Sequence, residues 1–133
     1  VPAVNSVVMY KGKMLIVQRA SGMEYPPNKW RGNSGFFEKP SVKEQITKEI
    51  NEELGLETSH IISIHEGEPF EVDDTTAGRV WRVYPVRVEF DTDKIQIDWE
   101  AQDYKWIDPA ELEKFDILPG FERVVKAVEA KNI

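Results

Sequence analysis

Glu49, Glu52 and Glu53 lie in the run Lys48-Glu49-Ile50-Asn51-Glu52-Glu53-Leu54-Gly55-Leu56. In a helix, Glu49 and Glu53 form an i,i+4 pair and Glu49 and Glu52 an i,i+3 pair. The three carboxylates are therefore expected on one face, with neighbouring Cβ atoms roughly 5–6 Å apart. Like charges at i,i+4 destabilise a helix by about 0.2–0.5 kcal/mol a pair, so something positive should sit against them. Oxygen ligands without sulfur suit Mg²⁺ or Mn²⁺, ions that keep several waters and bridge to substrate phosphates. A solvated acidic helix face is the competing reading, and the charge run alone does not separate the two.

The elements that must position these carboxylates are signalled nearby. Upstream stands a glycine-bearing loop, Trp30-Arg31-Gly32-Asn33-Ser34-Gly35-Phe36-Phe37-Glu38, followed by a helical stretch from about Val42 to Leu54. Ser41 with Glu44 three residues on is a capping-box pattern, and Gly55 fits the residue that stops a helix. Ala3 to Tyr10 and Met14 to Arg19 are apolar, β-branched segments joined by Lys11-Gly12-Lys13, a hairpin signal. Arg79 to Phe90 alternates in the manner of a strand but contains Pro85, which points to an edge or a bulge. Phe121 to Ala130 has the pattern of a closing amphipathic helix.

A glycine loop followed by a helix ending Lys-Glu-Ile-Asn-Glu-Glu-Leu-Gly-Leu resembles the Nudix box, G-x5-E-x7-R-E-U-x-E-E-x-G-U with U aliphatic. Glu49, Ile50, Glu52, Glu53, Gly55 and Leu56 match its second half. The first half departs from it. The stretch from Gly35 to Glu49 is one residue shorter than the family spacing, and Pro40 and Ser41 stand near the place of the loop glutamate. Lys48 replaces the box arginine, and Ser34 replaces a frequent glycine. Lys48 keeps the charge but loses the planar fork that holds a carboxylate by two hydrogen bonds. Glu38 is a partial substitute for the loop glutamate.

The resemblance covers nearly the whole chain. Leu15 to Ala20 is similar to the family's second strand, and Glu100 followed by Tyr104-Lys105-Trp106 to its late loop glutamate, strand and helix. It implies an α+β Nudix fold, a mixed β-sheet sandwiched between α-helices, in a single domain over residues 1–133. It also implies metal-dependent hydrolysis of a diphosphate bond in a nucleoside diphosphate derivative. By the same resemblance Glu49, Glu52, Glu53 and the backbone of Gly35 are metal ligands for Mg²⁺ or Mn²⁺. Glu52, Glu53 and Glu100 are the catalytic carboxylates, with Glu100 the leading general base. Arg19, Lys29, Arg31, Arg79 and Arg82 are candidate phosphate contacts. Trp81, with Tyr25, Trp30, Phe36 and Trp99, is a candidate for stacking on a base. Some segments are also loosely similar to archaeal Nudix domains, alone or fused to a subunit related to translation initiation factor 2B.

Composition narrows the alternatives. At 133 residues the chain is sized for one domain. Its 41% apolar content is ordinary, and no stretch reaches the ~20 apolar residues of a membrane span. The absence of cysteine removes disulfides, a thiolate nucleophile and Cys-type zinc sites. It also argues against an isomerase of the isopentenyl diphosphate type, which shares the fold but usually uses a cysteine. With 17 basic and 24 acidic residues the net charge is −7, which disfavours bulk nucleic-acid binding. The expected partner is a small anionic, nucleotide-like substrate, in a cytoplasmic protein of a family often found as homodimers. His60 and His65 read as structural. The departures from the box leave a second reading, a Nudix-fold nucleotide-binding or regulatory module with impaired catalysis.

Overall fold

A run such as Met14-Leu15-Ile16-Val17, apolar at every position, belongs in a strand covered on both faces. The computed structural model, which describes residues 2–20, 28–74, 78–97, 101–118 and 120–129, places it there. The run lies in β2 (Lys13–Arg19), and its alternate side chains feed two different cores. Leu15 and Val17 join one core with Val4, Val8, Val86, Val88 and Phe90. Met14 and Ile16 join the other with Val7, Met9, Trp30 and Ile107. A helix closes each: α1 (Val42–Leu54) through Ile46, Ile50 and Leu54, and α2 (Phe121–Glu129) through Phe121, Val124 and Val128. Burying an isoleucine or leucine fully is worth about 1.5–3 kcal/mol, so α1 is anchored firmly with its acidic end in a fixed place.

The sheet is mixed and has eight strands among the described residues. β1 (Pro2–Tyr10) turns into β2 as the expected hairpin, but through two residues, Lys11 and Gly12, with φ values of 46° and 81°, because Lys13 already belongs to β2. The hairpin then splays. Beyond Met9↔Met14, β1 pairs antiparallel with β4 (Asn33–Phe36), while β2 pairs with β3 (Trp30–Arg31) and with β8 (Ala101–Ile107). Along its other side β1 runs parallel to β7 (Arg79–Phe90) from Pro2↔Arg82 to Met9↔Glu89. β7 in turn carries β5 (Ile61–Glu66) and β6 (Phe70–Asp74).

This corrects the expectation for Pro85, which lies in the middle of a central, unbroken strand. On one side it faces Asn5 of β1. On the other it stands where β7 changes partner, between Phe70↔Val83 and Glu66↔Val86. The ladder has a gap there. Its carbonyl is satisfied instead by the Gly67 N–H at 2.9 Å, so a residue with no N–H of its own costs the sheet nothing.

The helix signals agree with the structure. Ser41 Oγ accepts the Glu44 N–H at 3.2 Å, and Gly55, at φ 64°, donates to Asn51 O at 3.2 Å. Leucine or alanine would be strained in that left-handed conformation. After β8 the chain forms a short 3₁₀ helix, Pro109–Lys114, with Asp108 and Glu111 making a capping box.

Candidate active site

α1 sets its C-terminal half across β3 and β4, and this crossing makes the site. Glu49 is only 7% exposed, an unusual place for a carboxylate. It is held by Gln45, one turn earlier, whose Nε2 donates to Glu49 Oε1 at 2.9 Å. Gln45 Oε1 accepts the backbone N–H groups of Glu38 and Lys39 at 2.7 and 2.9 Å. One fully buried amide thus ties the glycine loop to the acidic helix. Gly35 lies beneath Glu49, and a Cβ there would come within 2.3 Å of its carboxyl carbon. The position tolerates glycine because the carboxylate occupies the space a side chain would take.

Glu53 follows Glu49 by one turn and meets a cation from the sheet. Arg31 Nη1 stands 3.6 Å from Glu53 Oε1 and donates to the Gly32 carbonyl at 2.9 Å. Glu49, Glu53, Arg31, Gly35, Ser34, Glu38, Arg19, Ala3, Phe36 and Trp81 line one open cleft of about 350 Å³.

Glu52 departs from the expected cluster. Helical residues turn by about 100° each, so Glu49 and Glu53 are about 40° apart, while Glu52 is about 100° round from Glu53. It faces solvent, where Lys48 Nζ lies 3.4 Å away, and its side chain is 55% exposed. The expectation that all three carboxylates crowd one face is therefore corrected to two facing the cleft and one turned outwards. Partial desolvation pulls the Lys48 ammonium pKa down, but its hydrogen bond to Glu52 and the attraction of Glu52, Glu49 and Glu38 outweigh it. The net position is above the ordinary lysine value. Among the described residues no three acidic or imidazole groups converge to hold a metal.

The other expected contacts divide by position. Arg19, Arg31 and Trp81 line the cleft. Arg79 lies over the Trp81 ring, 5.4 Å from its centroid, and Phe36 packs on the same tryptophan at 5.5 Å with the rings tilted by 34°. Phe36 is 53% exposed, so an aromatic surface is open at the mouth of the cleft. Lys29 is drawn to Asp116 at 2.6 Å, and Arg82 to Glu71 and the Tyr84 hydroxyl; neither lines the cleft. Trp30 is buried in the α2 core, edge-on to Phe115. His60 pairs with Asp91 at 2.8 Å at the surface. Glu100, Tyr25 and Trp99 lie outside the described residues. Gln45 was missed in the sequence, although its i,i+4 spacing to Glu49 is the available signal.

A glycine loop tied to a helix that presents buried Glu49 and part-buried Glu53 to an open cleft keeps two of the three carboxylates that the box resemblance puts there. The NUDIX domain family model matches residues 1–128. The chain belongs to the Nudix family. Members of this family hydrolyse phosphoanhydride bonds in nucleoside diphosphate derivatives, and the chain is a Nudix hydrolase by that membership. It is 25% identical over 118 residues to the nucleoside triphosphatase NudI of Escherichia coli O17:K52:H18, covering 84% of each chain. In fold it is similar to the Nudix domain of Shewanella oneidensis NrtR complexed with ADP ribose. That match has a TM-score of 0.81 and 15% identity, over 100% of this chain and 88% of that one. It is also similar to a C. elegans Ap4A hydrolase, with a TM-score of 0.76 and 20% identity over 98% and 96% of the two chains. No helix among the described residues is long and apolar enough to cross a membrane.

Proposed function

We propose that the cleft between α1 and β4 hydrolyses a diphosphate bond of a nucleotide, using Mg²⁺ or Mn²⁺ held by Glu49 and Glu53. The observation that carries this reading is the pair of carboxylates, Glu49 buried and Glu53 part-buried, facing one cleft above Gly35. Two carboxylates, a backbone carbonyl near Gly35, waters and substrate oxygens make an all-oxygen set, which is how Mg²⁺ is usually bound. The residues present therefore fit the ion. When bound, such an ion neutralises phosphate oxygens and lowers the pKa of a coordinated water.

The chain's own groups supply the rest. Arg19 contacts phosphate from the cleft wall, and the Phe36–Trp81 surface stacks on the base, with Arg79 backing the tryptophan. Stacking on an aromatic is worth about 1–3 kcal/mol per base, enough to orient a nucleotide whose phosphates point towards α1. Glu100, ahead of β8, accepts the proton from the attacking water. Glu52, paired with Lys48 at the surface, acts on the site at most through water. The substrates that suit this cleft are noncanonical nucleoside triphosphates, sugar nucleotides and dinucleoside polyphosphates.

The test is a panel of such nucleotides incubated with Mg²⁺, Mn²⁺ or EDTA, with products read by chromatography. Metal-dependent release of phosphate or nucleotide is expected. The outward turn of Glu52 and Lys48 favours a second reading, a module that binds nucleotides without turning them over. Binding of panel members with no product would establish that reading in place of the first.

A further inference from the structure

Resting on the metal-dependent reading of the cleft, we infer that Arg31 is a positioning residue: it holds Glu53 in its metal-binding orientation from inside the fold. The helix's cation nearest the acidic end, Lys48, cannot do this. Lys48 is engaged with Glu52 at 3.4 Å on the solvent side of α1. Arg31 approaches from the opposite side. It is 8% exposed, its Nη1 is 3.6 Å from Glu53 Oε1, and its Nε has no hydrogen-bond partner.

Burying a guanidinium is costly unless an opposite charge compensates it, and Glu53 is the carboxylate that meets it. The backbone beneath is fixed. β3 pairs through Val17↔Arg31 and Gln18↔Trp30, and Trp30 exchanges backbone hydrogen bonds with Asp116 and Leu118 at 2.9 and 2.8 Å. Gly32 is pressed so closely on Ser6 O that an added Cβ would lie 2.3 Å away. Arg31 therefore reaches Glu53 from a rigid base. With one arm on the Gly32 carbonyl and the same nitrogen beside Glu53, the guanidinium is committed to a carboxylate and is not free to clamp phosphate with its whole fork. Groups that orient a ligating side chain typically change metal affinity or activity by about 10–100-fold when removed.

The test is Mn²⁺ titration of the metal-free protein without nucleotide, for wild type, Arg31→Gln, Glu53→Gln and the double variant. The expected result is that Arg31→Gln weakens Mn²⁺ binding about 10-fold or more, yet changes it less than about twofold in the Glu53→Gln background, the non-additivity of two residues acting as one. On a turned-over nucleotide, kcat falls while KM stays, and Lys48→Ala behaves as wild type. Equal weakening in both backgrounds, no weakening at all, or a raised KM with kcat intact overturns the inference. Should Arg31→Gln lose its folded circular dichroism, Arg31→Lys carries the same measurements, with an intermediate loss expected. A wild type that binds no Mn²⁺ overturns the reading of the cleft and this inference with it. Binding without the coupling overturns this inference alone, and coupling without turnover overturns only the hydrolase reading.

Discussion

The space under the Glu49 carboxylate is what fixes residue 35 as glycine. A methyl group there would overlap the carboxyl carbon at 2.3 Å, so Gly35→Ala must displace a side chain that Gln45 holds in place. Overpacking of this kind costs about 1–3 kcal/mol. Urea denaturation should show a loss in that range, and Mn²⁺ titration a weakened site. Gln45 itself is a sharper case. Gln45→Leu keeps the volume but strands the Glu38 and Lys39 N–H groups and the Glu49 carboxylate. An unmet partner costs about 1–3 kcal/mol where it is buried, as the Glu49 carboxylate is, and less at the part-buried N–H groups of the loop. A variant as stable as wild type in urea would show that the loop and helix are joined by something else. The shared face of Glu49 and Glu53 was legible because their i,i+4 spacing is local, whereas Glu52 was misplaced. Arg31 and Gln45 were not legible in their roles, since each depends on what the fold brings to it: Glu53 across a helix–strand crossing, and loop N–H groups across a turn.

At the scale of elements, α1 was readable almost to the residue. Its two ends are set by side chains at fixed offsets, Ser41 to Glu44 and Gly55 to Asn51. Removing an N-cap costs about 1 kcal/mol, so Ser41→Ala should lower the unfolding free energy from urea denaturation by that amount. It should leave kcat unchanged, because the cap lies at the opposite end of the helix from Glu53. A fall in kcat without a loss of stability would contradict the separation. The hairpin was equally local. Pro85 was misplaced because propensity knows nothing of partner exchange: the gap between β6 and β5 that tolerates it exists only once both strands have docked on β7. The outward turn of Glu52 also belongs at this scale, since the helical angle puts it beside Lys48 and away from β4.

Among the described residues the sheet separates two cores, and the proposed site lies on the α1 side. Ile46 lies in the α1 core and Ile16 in the α2 core. Each change to valine should cost about 0.5–1.5 kcal/mol, and the pair should add to within about 0.3–0.5 kcal/mol. A large coupling in urea unfolding would mean that the sheet transmits packing strain from face to face. Fold and family were readable from the chain because the box and the alternating cores are written in contiguous residues. The joining of Phe36 and Trp81 into one aromatic surface was not, because β4 and β7 are distant in sequence.

We propose that Glu49 and Glu53 form a metal-dependent hydrolytic site. Steady-state turnover of the best nucleotide by wild type and Glu53→Gln, with Mg²⁺ and with EDTA, tests it most directly. A bound ion contributes several kcal/mol of transition-state stabilisation, and each 1.36 kcal/mol is tenfold in rate. The predicted result is wild-type turnover abolished by EDTA and reduced about 100-fold or more in Glu53→Gln. Glu53→Gln turning over as fast as wild type would exclude a metal-binding role for Glu53.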